Sequence, residues 1–302
     1  MVETILELPG QFRWLDCVMP SPEELGDIAA AYELHPTSVQ DCLQPEHLPK
    51  FEKFDNALFL IARAYDEHAP EDADSVQELT RKTAIFWNHH FFITIHRQDQ
   101  RFMVELRERW KSAASHPSSP FPLLHDLLKQ ILLTYEAPLL AANENLDRFE
   151  EEIFVVRSEA WMLQELYLLK RKATVFKKMI FLSKDILNAL ALESRQHRPL
   201  LQDLKETADR LFFLSDQLME NTTTLLNLHI SLSSHRTNEV MRILTLFSVF
   251  FMPLTFIVGI YGMNFIFMPE LRHPLGYPAV ILLMLVITFV IYRWFRHKGW
   301  LS

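Results

Sequence analysis

Two runs without a charged residue end this chain, residues 243–261 and 274–292, nineteen residues each. A helix rises about 1.5 Å per residue, so either run is long enough to cross a hydrocarbon core of roughly 30 Å. A pair of buried core helices has the same length and composition, but two such runs joined by a short connection and closing the chain favour membrane spans. Basic residues set the orientation. Arg236 and Arg242 precede the first run, Arg293, Arg296 and Lys298 follow the second, and the connection holds only Glu270 and Arg272. Both termini are therefore expected on the cytosolic side and the connection outside. Tyr261, Tyr277, Tyr292 and Trp294 stand where interfacial aromatics are expected.

Charge is segregated accordingly. The formal net charge is -8, and nearly all charged residues precede the first run. A modest acidic excess argues against nucleic acid as a partner. The two cysteines, Cys17 and Cys42, cannot build a disulfide framework and suit a reducing compartment. The first residues carry acids and lack a long apolar core, so no signal peptide is read there.

Between residues 27 and 258 there is no glycine, and proline is absent from 139–198 and from 200–252. Stretches of that kind predict very long helices. The first is expected to be a hairpin of two. The second would extend about 80 Å if unbroken, at about 1.5 Å per residue, and run directly into the first span. The N-terminal part differs. Residues 12–18, 57–65 and 83–96 are rich in strand formers. Residues 22–34 and 37–43 look helical, with Ser21 and Pro36 as start signals. The expected organisation is α+β: an N-terminal α/β domain (1–118), long stalk helices (119–240) and a two-helix transmembrane region (241–302) with an outer loop at 262–277. Pro117-Ser118-Ser119-Pro120 is the expected hinge.

Leu204, Leu211, Leu218, Leu225 and Leu232 recur every seven residues, the seam of a coiled-coil-like contact. A second face is polar, with Asp203, Glu206, Arg210, Gln217, Glu220, Thr224, Asn227, Ser231, Ser234 and Asn238. It continues into the first run as Met241, Thr245, Ser248, Met252, Thr255 and Gly259. At about 100° per residue, Thr245, Ser248 and Thr255 fall within about 80° of one another. Such a stripe suits either a pore lining or small-residue helix packing in lipid. The pore reading requires an oligomer around an axis, because one helix encloses nothing.

Tyr261-Gly262-Met263-Asn264-Phe265, followed by Met268-Pro269-Glu270-Leu271, resembles the signature of CorA-type divalent-cation transporters. Asn238-Glu239-Val240-Met241 and residues 251–257 resemble the first span of that family. Residues 34–43 and 48–52 resemble its cytosolic domain. The resemblance implies a funnel-shaped homopentamer in the bacterial inner membrane, with both termini cytosolic. In it the first span lines the pore, the second faces lipid, and the Gly262-Met263-Asn264 loops cap the mouth. Asn264 would hold hydrated Mg²⁺ at the entrance, with Glu270 in the outer loop. Asn238, Met241, Leu244, Met252 and Thr255 would line the conduit. Asp203 stands where the family has a regulatory Mg²⁺ ligand, although its neighbours, Gln202 to Thr207, depart from the family pattern. The partner carboxylate is not identifiable, and Asp66, Glu67, Asp72 and Asp74 are candidates on an expected exposed loop.

The chemistry is consistent with magnesium. Mg²⁺ sheds its inner waters reluctantly, and a ring of amide oxygens can hydrogen-bond those waters without stripping them. Gly262 is expected to supply helix-ending dihedrals. Met241 and Met252 suit flexible apolar constrictions. No P-loop, HExxH or paired CxxC is present, so neither nucleotide-driven transport nor enzyme catalysis is read. His89 and His90 fall in an expected strand and read as structural. Glu144, Asp147 and Glu150 to Glu152 read as a solvated face, with attraction of cations as the alternative. The expected function is passive, gated Mg²⁺ flux, with Co²⁺ or Ni²⁺ sharing the path. A zinc transporter of the same architecture and a non-conducting membrane-tethered sensor or scaffold are the alternatives.

Overall fold

The computed structural model describes residues 2–8, 10–113, 119–155, 160–264, 266, 268–269 and 273–300. The chain divides into two compact units, Met1–His229 and Ile230–Ser302.

The first unit is built on a six-stranded sheet. Its strands are β1 (Val2–Glu7), β2 (Arg13–Val18), β3 (Lys50–Lys53), β4 (Leu58–Tyr65), β5 (Thr80–Trp87) and β6 (Phe91–His96). Their spatial order is β1-β2-β6-β5-β4-β3. Only β2 and β6 pair in parallel; the other neighbours are antiparallel. Residues 83–96, expected as one strand, are the hairpin β5–β6. His89 and His90 are exposed in its turn, and Asn88 Oδ1 accepts from the His90 and Phe91 amides. An aromatic run on both sides of an Asx turn hides the break, because nothing in its composition interrupts the strand signal.

Helices cover both faces of the sheet. α1 (Pro22–Ala31) opens on a capping box between Ser21 and Glu24. α2 (Pro36–Leu43) is capped by the His35 side chain, with Pro36 in the first turn. Both pack on the face formed by Leu15, Cys17, Phe59, Ile61, Ala84, Phe86, Ile93 and Ile95. α3 (Val76–Leu79) is a single turn before β5, and α4 (Arg101–Ser112) follows β6. Three longer helices come next: α5 (Phe121–Leu133), α6 (Glu136–Val155) and α7 (Ala160–Glu193). The expected pair of helices over 139–198 is α6 and α7. Of the expected hinge, Pro117 and Ser118 lie outside the described residues, and Pro120 caps α5.

A 3-10 turn, Arg195–His197, reverses the chain into α8 (Arg198–Tyr261), 64 residues long. That is about 96 Å at about 1.5 Å per residue. Its first part runs antiparallel to α7. Lys184–Asp209 at 2.7 Å, Phe181–Phe212 at 6.2 Å between ring centroids and Lys177–Asp216 at 2.5 Å step down one helix and up the other. The buried residues of α8 are Leu201, Leu204, Ala208, Leu211, Ser215, Leu218, Thr222, Leu225 and His229, a strict three-four alternation. Leu204, Leu211, Leu218 and Leu225 of the expected seam are buried, and Leu232, its fifth member, is only half-buried. Beyond Leu201 the seam's companion row, Ala208, Ser215, Thr222 and His229, is small or polar, which is why leucine spacing alone does not reveal it.

The second unit holds the remainder of α8 and α9 (Gly276–His297), both long and apolar enough to cross a membrane. Within 243–261, only Leu246, Phe250, Pro253, Leu254, Ile257 and Tyr261 are half-buried; the rest are exposed. Phe250 meets Phe295 of α9 with ring centroids 5.7 Å apart.

Candidate ion pathway and cation-sensing carboxylate

The half-buried row of the first span fixes the direction of its other face. At about 100° per residue, Met241, Thr245, Ser248, Met252, Thr255 and Gly259 centre about 180° from the row that meets α9. All six are exposed, as are Asn238 and Leu244. Met252 is 70% exposed and Met241 56%. Thr245 and Ser248 donate to the carbonyls of Met241 and Leu244, at 2.7 and 2.9 Å. Their oxygens keep acceptor capacity toward the open side. The face therefore offers three hydroxyl oxygens, two thioethers and a glycine to whatever covers it. A Cβ at Gly259 would meet nothing within 4 Å.

α8 ends at Tyr261. The Gly262 amide donates to Val258 O at 2.9 Å and the Met263 amide to Ile260 O at 3.2 Å. Gly262 is not in the left-handed region, contrary to the expectation of special dihedrals. Close approach is its constraint: a Cβ there would lie 3.1 Å from the Val258 carbonyl oxygen. Met263 and Asn264 are exposed immediately beyond. Glu270 lies outside the described residues.

In the first unit, Asp203 is half-buried and paired within its own chain. Lys129 Nζ of α5 approaches its two oxygens at 2.9 and 2.8 Å, and His125 Nε2 lies 2.8 Å from Oδ2. Hydrogen bonding from Lys129, then from His125, holds the carboxyl below its ordinary range against a smaller desolvation penalty. His125 is raised, first by hydrogen bonding to Asp126 and then by Asp203, with burial opposing. The expected exposed carboxylate loop is only partly that. Glu67 and Asp72 are exposed, but Asp66 is buried beside Arg81, with which it forms an ion pair at 2.6 Å. Asp74 pairs with Arg171 of α7 at 3.1 Å. Among the described residues, no cluster of three or more His, Cys, Asp or Glu is placed to hold a metal. Of the acidic residues of α6, Glu144, Asp147, Glu150 and Glu151 are exposed and Glu136 and Glu152 half-buried.

A second charged network went unread in the sequence. Asp16 is fully buried between His96 Nε2, at 3.0 Å, and Arg107 Nη1, at 2.5 Å. Thr94 donates to Asp16 and accepts from Trp14 Nε1 at 3.1 Å. Burial pushes the Asp16 carboxyl up, and the His96 and Thr94 hydrogen bonds with the Arg107 charge more than reverse it. Sequence spacing carries no sign of this group, because its members come from β2, β6 and α4.

The described residues thus give a large α/β unit and two helices long and apolar enough to cross a membrane, the first presenting a polar stripe and ending in an exposed Gly-Met-Asn turn. The chain belongs to the CorA family: the CorA-like Mg2+ transporter protein profile matches residues 9–297. The cobalt/magnesium transport protein CorA of Thermotoga maritima is 30% identical over 278 residues, covering 89% of this chain and 78% of the relative. The complete structure of the CorA magnesium transporter from Methanocaldococcus jannaschii superposes with a TM-score of 0.79 at 22% identity, over 98% of this chain and 94% of that one. The ZntB cytoplasmic domain from Vibrio parahaemolyticus superposes with a TM-score of 0.60 at 14% identity, over 76% of this chain and 88% of that one. At such identities the structural likenesses establish fold. The chain is thus a divalent-cation transporter of the CorA family, with a soluble α/β domain, a long helix and a C-terminal helix.

Proposed function

We propose that the chain mediates passive, gated Mg²⁺ flux, with Co²⁺ or Ni²⁺ as further cargo, across the inner membrane of a bacterium with both termini in the cytosol. The single observation that carries this reading is the division of the first span into two opposed faces, one on α9 and one polar and exposed. Five copies around an axis turn that exposed face into a conduit lined by Asn238, Met241, Leu244, Thr245, Ser248, Met252, Thr255 and Gly259. Asn264 stands at the exposed end of the helix, where its amide holds the hydration shell of an arriving ion, with Gly262 and Met263 forming the turn beneath it. The membrane potential supplies the driving force, roughly 4.6 kcal/mol per 100 mV for a divalent ion, twice the single-charge value. Met241 and Met252 narrow the path without offering strong ligands, so an ion enters and leaves in its waters.

Regulation is assigned to Mg²⁺ near Asp203. Its oxygens already bind Lys129 and His125, so a divalent ion must displace a cation and recruit a carboxylate from a neighbouring subunit. Tenfold tighter binding to the closed state would contribute about 1.4 kcal/mol per site, or roughly 7 over five sites.

The test is cation flux into proteoliposomes, comparing Mg²⁺, Co²⁺ and Zn²⁺, with native mass spectrometry in detergent for stoichiometry. Mg²⁺ flux by a pentamer is expected. Zn²⁺ flux without Mg²⁺ flux would instead make the chain a zinc transporter, a reading favoured only by the fold shared with the ZntB domain. Correctly assembled protein with no flux of any of the three would leave a tethered sensor or scaffold.

A further inference from the structure

A row of three cations crosses the sheet of the first unit on one face. Arg63 of β4 and Lys82 of β5 are direct antiparallel partners. The Thr83–His96 pair sets the β5–β6 register, and one step beyond it Lys82 faces Arg97. Side chains alternate along a strand, so Arg63 shares its face with Phe59 and Ile61, Lys82 with Ala84 and Phe86, and Arg97 with Ile93 and Ile95. Like charges directly opposite in a sheet repel, and this face packs against α1 and α2 rather than open water. The row lines a cavity of about 830 Å³, whose apolar side is formed by Met19, Pro22, Leu25 and Leu43.

Neutral carbonyls are the groups that meet these charges. Arg63, 2% exposed, donates to Thr80 Oγ1 and to the carbonyls of Pro45, His47 and Thr80, four of its five N–H groups. Lys82 Nζ donates to the carbonyls of Asp41, Cys42 and Gln44 as α2 ends, and Arg97 donates to Leu43 O. Asp41, whose charge also acts on Lys82, is engaged by Lys50 at 2.6 Å and His47 at 2.8 Å. Of the remaining charged lining, Arg81 is paired with Asp66, His96 with Asp16, and Glu46 is the one free acid. Capping one helix C-terminus calls for a single cation. Three in a row beside an open cavity leave positive charge that an anion can neutralise, in a volume suited to a small ligand.

We propose that this cavity binds a small organic phosphate, its phosphate held by the uncommitted N–H groups of Arg97 and Arg63 within the field of Lys82, and its body on the apolar side. The site is independent of the ion pathway. Burial, followed by the neighbouring cations Arg63 and Arg97, brings the Lys82 ammonium down to about 8, with Cys42 and Asp41 acting the other way. An anion beside it would restore the proton, so binding should take up protons and weaken as pH rises through about 8.

The test uses the full chain in detergent and Mg²⁺-free buffer, with adenosine monophosphate, inorganic phosphate and adenosine as probes in equilibrium dialysis and thermal unfolding. Saturable binding of adenosine monophosphate or inorganic phosphate, weakened about tenfold or more in Arg97→Gln, is expected from the loss of one charge-assisted contact. Lys82→Met, which removes a charge but no direct contact, should weaken binding by less, and should it fail to fold, exposed Arg97→Gln carries the reading alone. Saturable phosphate binding that neither variant weakens would overturn the proposal. So would equal binding of adenosine and its monophosphate, or no saturable binding of either phosphate compound, which would leave the row as a cap on α2 only.

Discussion

One helix, α8, passes through two environments, and its two parts obey different rules. Up to His229, every third or fourth residue is buried, and charges find partners on α5, α6 and α7, as Asp203, Arg210 and Asp216 do. From Ile230 to Tyr261 no residue is buried, yet the sequence is more apolar. In the first part burial within the chain determines which side chains matter. In the second, exposure of leucine, phenylalanine and methionine marks surfaces completed by lipid or by other copies. A side chain in the first part is therefore tested by stability, and one in the second by transport.

The sharpest contrast is at the far end of the second part. Asn264→Ala removes an exposed amide beyond the end of α8, so assembly should be unchanged. Mg²⁺ flux should fall by at least about tenfold, the effect of one lost hydrogen bond of about 1.4 kcal/mol in the rate-limiting step, and further if several copies contribute. Normal flux from a correctly assembled variant would remove Asn264 from the entrance.

In the first part the same logic runs in reverse. Leu211→Ala deletes a fully buried side chain and should destabilise the soluble unit by about 2–5 kcal/mol in denaturant titration. Leu244→Ala, 60% exposed in the second part, should leave that transition unmoved. Equal losses of stability would break the comparison.

Much of this was legible in advance because it rests on periodicity and composition. The two spans, the α6–α7 hairpin, the leucine seam and the polar stripe are one-dimensional patterns. What escaped depends on residues far apart in sequence. β1 and β3 carry charges at the sheet edges, where edge strands are often short or polar, so their strand signal is weak. Asp203 reads as a lone acid because Lys129 and His125 lie on α5. Asp66 reads as exposed because Arg81 lies across a loop. The Asp16 network cannot be seen without the parallel pairing of β2 with β6.

That network gives a smaller, pH-dependent effect. His96 is raised above its ordinary value: burial lowers it, but the Asp16 hydrogen bond and charge outweigh that. Its contribution is fully present below the unfolded value of about 6.5 and is lost as pH rises through the folded value. Asp16, depressed, contributes above about 3.8 and is lost in acid. The soluble unit should therefore lose stability as pH rises above about 6.5, measured as the unfolding midpoint against pH. His96→Gln should flatten that limb while retaining the acid one. An unchanged alkaline limb in His96→Gln would mean that other groups set it.

The smallest effect separates two roles for Asp203. It is 43% exposed, so its ion pair with Lys129 should contribute less than about 1 kcal/mol to stability. As a sensor it acts differently, because Lys129 and an incoming Mg²⁺ compete for the same oxygens. Asp203→Ala should raise the cytosolic Mg²⁺ needed to inhibit current, whereas Lys129→Met, which frees the carboxylate, should lower it. His125 adds a sign in pH. Its raised value keeps it protonated on Asp203 at lower pH, so Mg²⁺ inhibition should strengthen as pH rises and the imidazolium is lost, by less than about tenfold per pH unit. A carboxylate serving only to hold α5 against α8 would produce none of this. Both variants would then lose a little stability together, and inhibition would occur at the wild-type Mg²⁺ concentration in each.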